Sequence, residues 1–425
     1  MPKHAKTVTL DGFAGLNNTL PPERTDPKYL KEVNNIDIDK SGGLHKRKGY
    51  TLIDSGNYHS VWSNGDVCYA VRGTDLVSID TDLNITPILA DVTSSSLSFD
   101  SVNGDVYFSG ENESGIIKPD NTIRPWGLQW MNPFPTLTAT SGNLTYGIYQ
   151  VVLTYVADDG IESGAGLSQK IIIGDNGGIQ ISNIPASSDS NISYIRIYCS
   201  TPNGSELYLK GTISSSNTSY LISDVEDAIT PLQAFNMYPA PRGHIVRYAH
   251  SRMFVASDNI LWFSSPFSYN WFDIHEDYLY FPERIRAVMP TEGGMWIAAD
   301  KLYYLAGRDP SKAQLSEKEN VKAVEGSDVK IVGAYVFIQN TPIGYKWLIT
   351  TDKGIYVCYN DGITLNMTEK NVTFPPADIG TATFVQEGGI NRYVSLIKPK
   401  GDNNNMAVGD QVTATIIRNG VVLEE

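Results

Sequence analysis

One unit recurs along this chain and constrains its fold more than any other feature. A short apolar strand meets a Gly/Asn/Asp turn, and an aromatic-rich strand returns before a second turn. The copies read HSVWSNGDVCYAVRGTDLVSID from His59, LSFDSVNGDVYFSG from Leu97, VRYAHSRMFVASDNILWFSSP from Val246, RIRAVMPTEGGMWIAADKLYYLAG from Arg284 and KWLITTDKGIYVCYNDGITL from Lys346. Copies start roughly 38 residues apart at His59 and Leu97 and again at Val246 and Arg284, the spacing of propeller blades. The expected fold class is therefore all-β: a β-propeller-like domain with an extended N-terminal arm.

Composition agrees. Aromatics make up 10 % of the 425 residues, with 24 Tyr against 13 Phe and 37 Gly, which suits twisted antiparallel sheet whose Tyr rings cover a strand while the hydroxyl stays wet. Only Asp26 to Val33, opened by Pro27, and Ser311 to Val321 read as helical. A net charge of −14 argues against a protein that grips nucleic acid by neutralising phosphates, and is compatible with a surface that DNA slides past. Cys68, Cys199 and Cys358 are scattered through strand-like runs, giving neither a disulfide framework nor metal spacing; they read as small core residues of a chain made in a reducing cytoplasm. The start, MPKHAKTVTLDG, lacks an apolar leader, and no run of ~18 apolar residues occurs, so neither a standard export signal nor a membrane-spanning segment is expected. Triplets such as Asn143 to Thr145 are then chance glycosylation matches.

The repeat is interrupted. Residues 1–50 form the arm, expected to contribute a strand after Gly42 to the last blade, and 51–135 hold the first blades, ending in the Pro-broken PWGLQWMNPFPTL. Over 136–235 short strands follow one another without the aromatic hairpin, the pattern of an inserted fibronectin/Ig-like β-sandwich. Blades resume over 236–425, and the chain closes with a hairpin turning at Arg418-Asn419-Gly420.

No motif for chemistry rises above background, and neither a catalytic residue, a cofactor nor a metal site is expected. Asp37, Asp39, Ser41 and Gly42 match half of a calcium loop, but Lys48 stands where a bidentate Glu is required, so a turn entering a strand is expected. At Asp80 the match is weaker, with Ile85 in the glycine position. The histidines, His4, His45, His59, His244, His250 and His275, fall in no metalloprotease pattern. His244 and His250 flank one strand about 20 Å apart, too far for one metal. Asp273, Glu276 and Asp277 in WFDIHEDYLYF are the nearest candidates for acids of a glycan-cleaving site, and they also read as an ordinary acidic loop. The Gly-rich elements lie between strands and precede no helix, so they cradle no phosphate.

The arm carries a further pattern: Phe13, Gly15, Leu16 and Asn17, then Asn35, Ile36, Asp37 and Ile38, then Arg47, Lys48, Gly49 and Tyr50. It resembles the start of tail tube (nozzle or hub) proteins of short-tailed, podovirus-type bacteriophages. GIYQVVLTYVADDGIESGAG with ISYIRIYCSTPNGSELYLKGTI is similar to the fibronectin-like insert of that family, and RGHIVRYAHSRMFVASDNILWFSSPFSYNWFD resembles its blade hairpin. The family's members are often longer. The resemblance implies a virion structural protein with no enzymatic activity, made in the host bacterial cytoplasm. It implies a homo-oligomeric six-fold ring of the head-to-tail channel. Head–tail adaptor proteins would sit above it and tail fibre, spike or needle proteins nearby, and DNA would pass during ejection without specific binding. The rival expectation is a carbohydrate-binding or carbohydrate-hydrolysing propeller acting on the host surface.

Overall fold

The computed structural model describes residues 10–33, 36–39, 41–46, 51–224, 229–331, 346–369, 371–387, 390–400, 413–418 and 421–424. The protein is all-β; its described helix is a single 3-10 turn at Pro22–Arg24. No described helix is long and apolar enough to cross a membrane.

Among the described residues, six four-stranded sheets are antiparallel meanders whose strands pair in chain order, the layout of propeller blades. The first comprises Tyr58–Ser63, Cys68–Arg72, Asp75–Ile79 and Ile85–Leu89. The second comprises Ser98–Val102, Asp105–Ser109, Ser114–Ile117 and Ile123–Arg124. The third runs through Ile245–Ala249, Arg252–Ser257, Ile260–Phe263 and Tyr278–Tyr280. The fourth uses Ala287–Pro290, Gly294–Ala298, Leu302–Ala306 and Gln314–Glu319. Val329–Ile331, Lys346–Thr351, Gly354–Cys358 and Thr364–Asn366 form the fifth. Ala377–Glu387, Ile390–Pro399, Thr413–Arg418 and Val421–Glu424 form the sixth.

Burial explains why the inner strands are continuous apolar runs rather than alternating ones. Gly294–Ala298 is buried at every residue, whereas Gln314–Glu319, the fourth strand of the same sheet, is mostly exposed. A strand covered on both faces needs apolar residues at both parities. Neighbouring meanders share cores: Tyr69, Val71 and Leu76 of the first pack with Phe99, Val106 and Phe108 of the second. Val102, Tyr107 and Ile116 pack in turn with Val246, Met253 and Val255 of the third. Trp296 and Tyr304 of the fourth pack with Trp347, Ile349 and Cys358 of the fifth. Truncating the fully buried Trp296 to Ala would cost about 3–5 kcal/mol.

The segment between the second and third meanders makes two more antiparallel sheets. One orders Thr136–Leu144, Gly177–Ser182 and Tyr220–Ile222. The other orders Gln169–Ile173, Gly147–Ala157, Ile192–Ser200 and Leu207–Ser214. They enclose a common core in which Tyr149, Val151, Leu153 and Tyr155, at every second position, meet Ile179, Ile181, Ile195 and Ile197. Glu162 ties this segment to the loop before Phe272. Its buried carboxylate accepts hydrogen bonds from Thr154 (2.5 Å) and Tyr198 (2.8 Å) and pairs with Arg196, while its carbonyl accepts from Trp271 Nε1 at 2.7 Å.

The chain divides into two compact units, residues 1–56, 258–260 and 280–425, and residues 57–257 and 261–279. The division runs near 57 and 280 rather than at the ends of the inserted segment. Within the first unit, the arm departs from expectation. The strand after Gly42, Leu44–Lys46, pairs antiparallel with Ile36–Ile38 in a hairpin of its own, and the sixth meander supplies its own four strands. The arm's first strand, Gly15–Leu16, pairs with Tyr29–Leu30 and lies alongside Val421–Glu424. Asn18 adds hydrogen bonds to Thr373 of 2.9 and 3.1 Å.

Both expected helices are corrected. Asp26 to Val33 contains the strand Tyr29–Leu30, and Ser311 to Val321 contains Gln314–Glu319, held by pairing to Leu302–Ala306. Tertiary pairing overrides the helix propensity of that polar, Lys- and Glu-rich run. The closing hairpin pairs Thr413–Arg418 with Val421–Glu424. Its tip, the basic turn at 47–50, Asn35 and His4 lie outside the described residues.

Candidate functional site

Three of the acids singled out in the sequence, Asp39, Asp80 and Asp273, cap turns. Asp39 Oδ1 accepts from Ser41 N (2.7 Å), Ser41 Oγ (2.6 Å) and Gly43 N (2.8 Å), and Oδ2 lies 2.6 Å from His45 Nε2. The hydrogen bonds from Ser41, His45 and Gly43 hold this carboxyl well below the usual range. Gly42 turns at φ 84° with its backbone against Phe13 and Gly12, a close approach that a side chain would block. Asp37 pairs with Arg392 at 3.2 Å. These residues therefore form the turn into a strand that the sequence suggested. Asp80 caps the turn before Ile85–Leu89 in the same way, accepting from Asp82 N and from the backbone and side chain of Asn84.

In the 273–277 loop, Asp273 Oδ1 accepts from the backbone of His275 (3.0 Å) and Glu276 (3.1 Å), and the Asp273 carbonyl accepts from Asp277 N at 2.8 Å. The three acids are thus close in sequence, with one of them committed to the turn itself. The histidines are dispersed. His59 Nδ1 lies 2.9 Å from Ser60 Oγ, and burial lowers its pKa. His244 is buried at the entry to the third meander, and His250 occupies the following turn at φ 47°. Cys199 and Cys358 are buried in cores and Cys68 is half-buried; all three are free thiols, with Cys199 pushed up to about 12 by burial.

The structure draws attention instead to a cleft of about 900 Å³ in the second unit. Its walls are the Pro-rich segment 125–134, the loop 186–192 and Tyr238. Trp130, Phe134, Tyr155 and Tyr238 supply rings. Trp130 is fixed in place: its ring centroid lies 4.4 Å from that of Tyr238, and its Nε1 donates to Met237 O at 2.5 Å. Gly166 makes room beneath it, since a Cβ there would stand 2.8 Å from the indole and 3.2 Å from the Phe134 ring. Tyr155 donates to Pro185 O at 2.9 Å, anchoring the 186–192 loop from below. His275 Nε2 reaches the Tyr238 hydroxyl at 3.3 Å, placing the acidic loop behind the cleft wall.

Polar groups of the lining include Gln129, Asn132, Ser188 and Asp189. Asp189 Oδ1 accepts from Asn191 N and Nδ2 at 2.9 and 2.8 Å, which sets its orientation. Rings, amides, hydroxyls and one carboxylate are the groups with which clefts of this size orient a bound molecule. In the sequence this segment reads as an inter-domain break, because Pro125, Pro133 and Pro135 interrupt regular structure. The signal that it also carried was Gln129 and Trp130 followed by Asn132 and Phe134 among those prolines.

No protein-family profile matches the chain, and no curated protein matches it by sequence. Solved structures that it resembles include BBS1N in complex with ARL6DN, at 8 % identity over 84 % of this chain and 96 % of that one with a TM-score of 0.33. The N-terminal domain of Nup159 aligns at 10 % identity over 99 % of this chain and 96 % of that one, TM-score 0.32. Hsv2 of Kluyveromyces lactis aligns at 6 % identity over 85 % and 93 %, TM-score 0.29. At such scores the likeness carries nothing about function, and the fold rests on the strand pairing of the chain itself.

Proposed function

We propose that this chain is a structural subunit of a phage virion tail, a nozzle or hub that assembles into a six-fold ring of the head-to-tail channel and performs no catalysis. One observation carries the reading: the arm residues on which the family resemblance rests hold packing positions. Leu16 is 2 % exposed and shares a core with Leu348, Ile355 and Tyr393. Asn17 accepts the N–H groups of Thr19 and Leu20 at 3.2 Å each, and Asp37 is ion-paired to Arg392. A motif spent on packing suits a part whose task is shape.

The meanders support the same role. Sheets buried on both faces resist bending, and their outer strands and loops offer edges for heterologous contacts around a ring. The inserted two-sheet segment is read as a fibronectin-like module. A chain of net charge −14 would line a channel that repels DNA phosphates, so the genome passes without sticking. Adaptor proteins would dock above the ring and fibre, spike or needle proteins beside it. Negative-stain microscopy of the purified chain and of phage particles tests the proposal. Six-fold rings, with antibody label on the particle tail, are expected; a chain that stays monomeric at every concentration and is missing from particles overturns it.

A further inference from the structure

A ring subunit has no need of an aromatic cleft, and this one is lined as a ligand site. Its volume of about 900 Å³ falls in the range of roughly 300–1,000 Å³ that small-molecule sites occupy. Phe134 keeps 38 % of its surface exposed at the rim, while Trp130 is held rigid by Tyr238, Met237 and the Gly166 backbone. Gln129, Asn132 and Ser188 are exposed beside these rings.

We propose that this cleft binds a short oligosaccharide of pyranose sugars. A pyranose has an apolar C–H face and a girdle of hydroxyls. The exposed, electron-rich ring of Phe134 attracts the C–H groups, and the side-chain amides and Asp189 hydrogen-bond the hydroxyls. Other ligand classes fit less well. Asp189 is the charged residue of the lining, which repels phosphates and nucleotides. A wholly apolar ligand would strip water from the amides and return no hydrogen bond. The step is recognition alone, at a site distinct from the 273–277 acids, which contribute only by way of the His275–Tyr238 contact behind the wall.

Saturation-transfer NMR on the full chain tests this, with cellotriose, maltotriose, tri-N-acetylchitotriose and a rhamnose trisaccharide as probes. Transfer to the ring C–H protons of at least one probe is expected, with affinity about tenfold weaker in Phe134→Ala, the equivalent of one lost ring contact. Trp130→Ala risks misfolding, so Phe134→Ala and Asn132→Ala, both at exposed positions, serve as the variants, with an unchanged near-UV spectrum as the check on folding. No transfer from any of the four probes, or equal affinity in wild type and both variants, overturns the proposal.

Discussion

At the scale of single residues, the carboxylates of this protein act as clamps on backbone. Glu113 is the most demanding case. Its Oε1 accepts from Thr93 N (2.8 Å) and Thr93 Oγ1 (2.7 Å), and its Oε2 accepts from Ser94 N (3.0 Å) and the Ser94 hydroxyl. Partial burial pushes the carboxyl up, but the bonds from Ser94 and Thr93 outweigh it and bring the pKa from 4.5 down to about 2. A carboxyl depressed in the folded state contributes stability above its unfolded pKa and loses it as pH falls through the folded one. Thermal melts should therefore show Glu113→Gln less stable than wild type at pH 7, with the gap closing between pH 4.5 and about 2. A gap that persists unchanged at pH 2 would count against the clamp. None of this was legible beforehand, because Glu113 and Thr93 are twenty residues apart and only the folded second meander brings them together. Asp39 was legible, because its partners Ser41 and Gly43 are local and the missing Glu at Lys48 removed the calcium reading.

At the scale of elements, turns were read where the residues declare their own backbone and missed where they do not. Asn103-Gly104 joins Ser98–Val102 to Asp105–Ser109 with φ of 55° and 88°, a hairpin turn that an Asn-Gly pair announces. The turn joining Ile245–Ala249 to Arg252–Ser257 has the same left-handed backbone, φ 47° at His250 and 61° at Ser251, but without the Asn-Gly pair that announces it. An L side chain in that region costs about 1 kcal/mol, partly offset by the greater freedom of glycine in the unfolded chain. Ser251→Gly should raise stability by about 0.5 kcal/mol and Ser251→Val should lower it by more, read as opposite shifts in denaturation midpoint. Shifts of the same sign would show that the Ser251 side chain, not its backbone, matters. The strand Gln314–Glu319 marks the other limit of legibility. Its exposed, polar residues carry helix propensity and no period-two signal, and only pairing to Leu302–Ala306 makes it a strand.

At the scale of the whole molecule, charge sets the cost of bringing copies of this chain together. Each carries −14, so bringing six together as proposed concentrates like charge, and the cost depends on screening. The Debye length is about 10 Å at 0.1 M salt and about 3 Å at 1 M, so repulsion between neighbouring subunits weakens strongly across that range while apolar contacts do not. Assembly driven by sheet edges and apolar surface should therefore strengthen with salt. The assembly of a protein held together by exposed ion pairs would weaken. Sedimentation velocity at 0.05, 0.15 and 1 M sodium chloride separates the two, with a growing ring species expected as salt rises. The same charge predicts no retention on immobilised DNA even at 0.05 M salt, where nonspecific binding is strongest. Rings that dissolve with added salt, or retention on DNA that salt reverses, would mean that local positive surface outweighs the net charge, and the proposal of a phosphate-repelling channel would then fail.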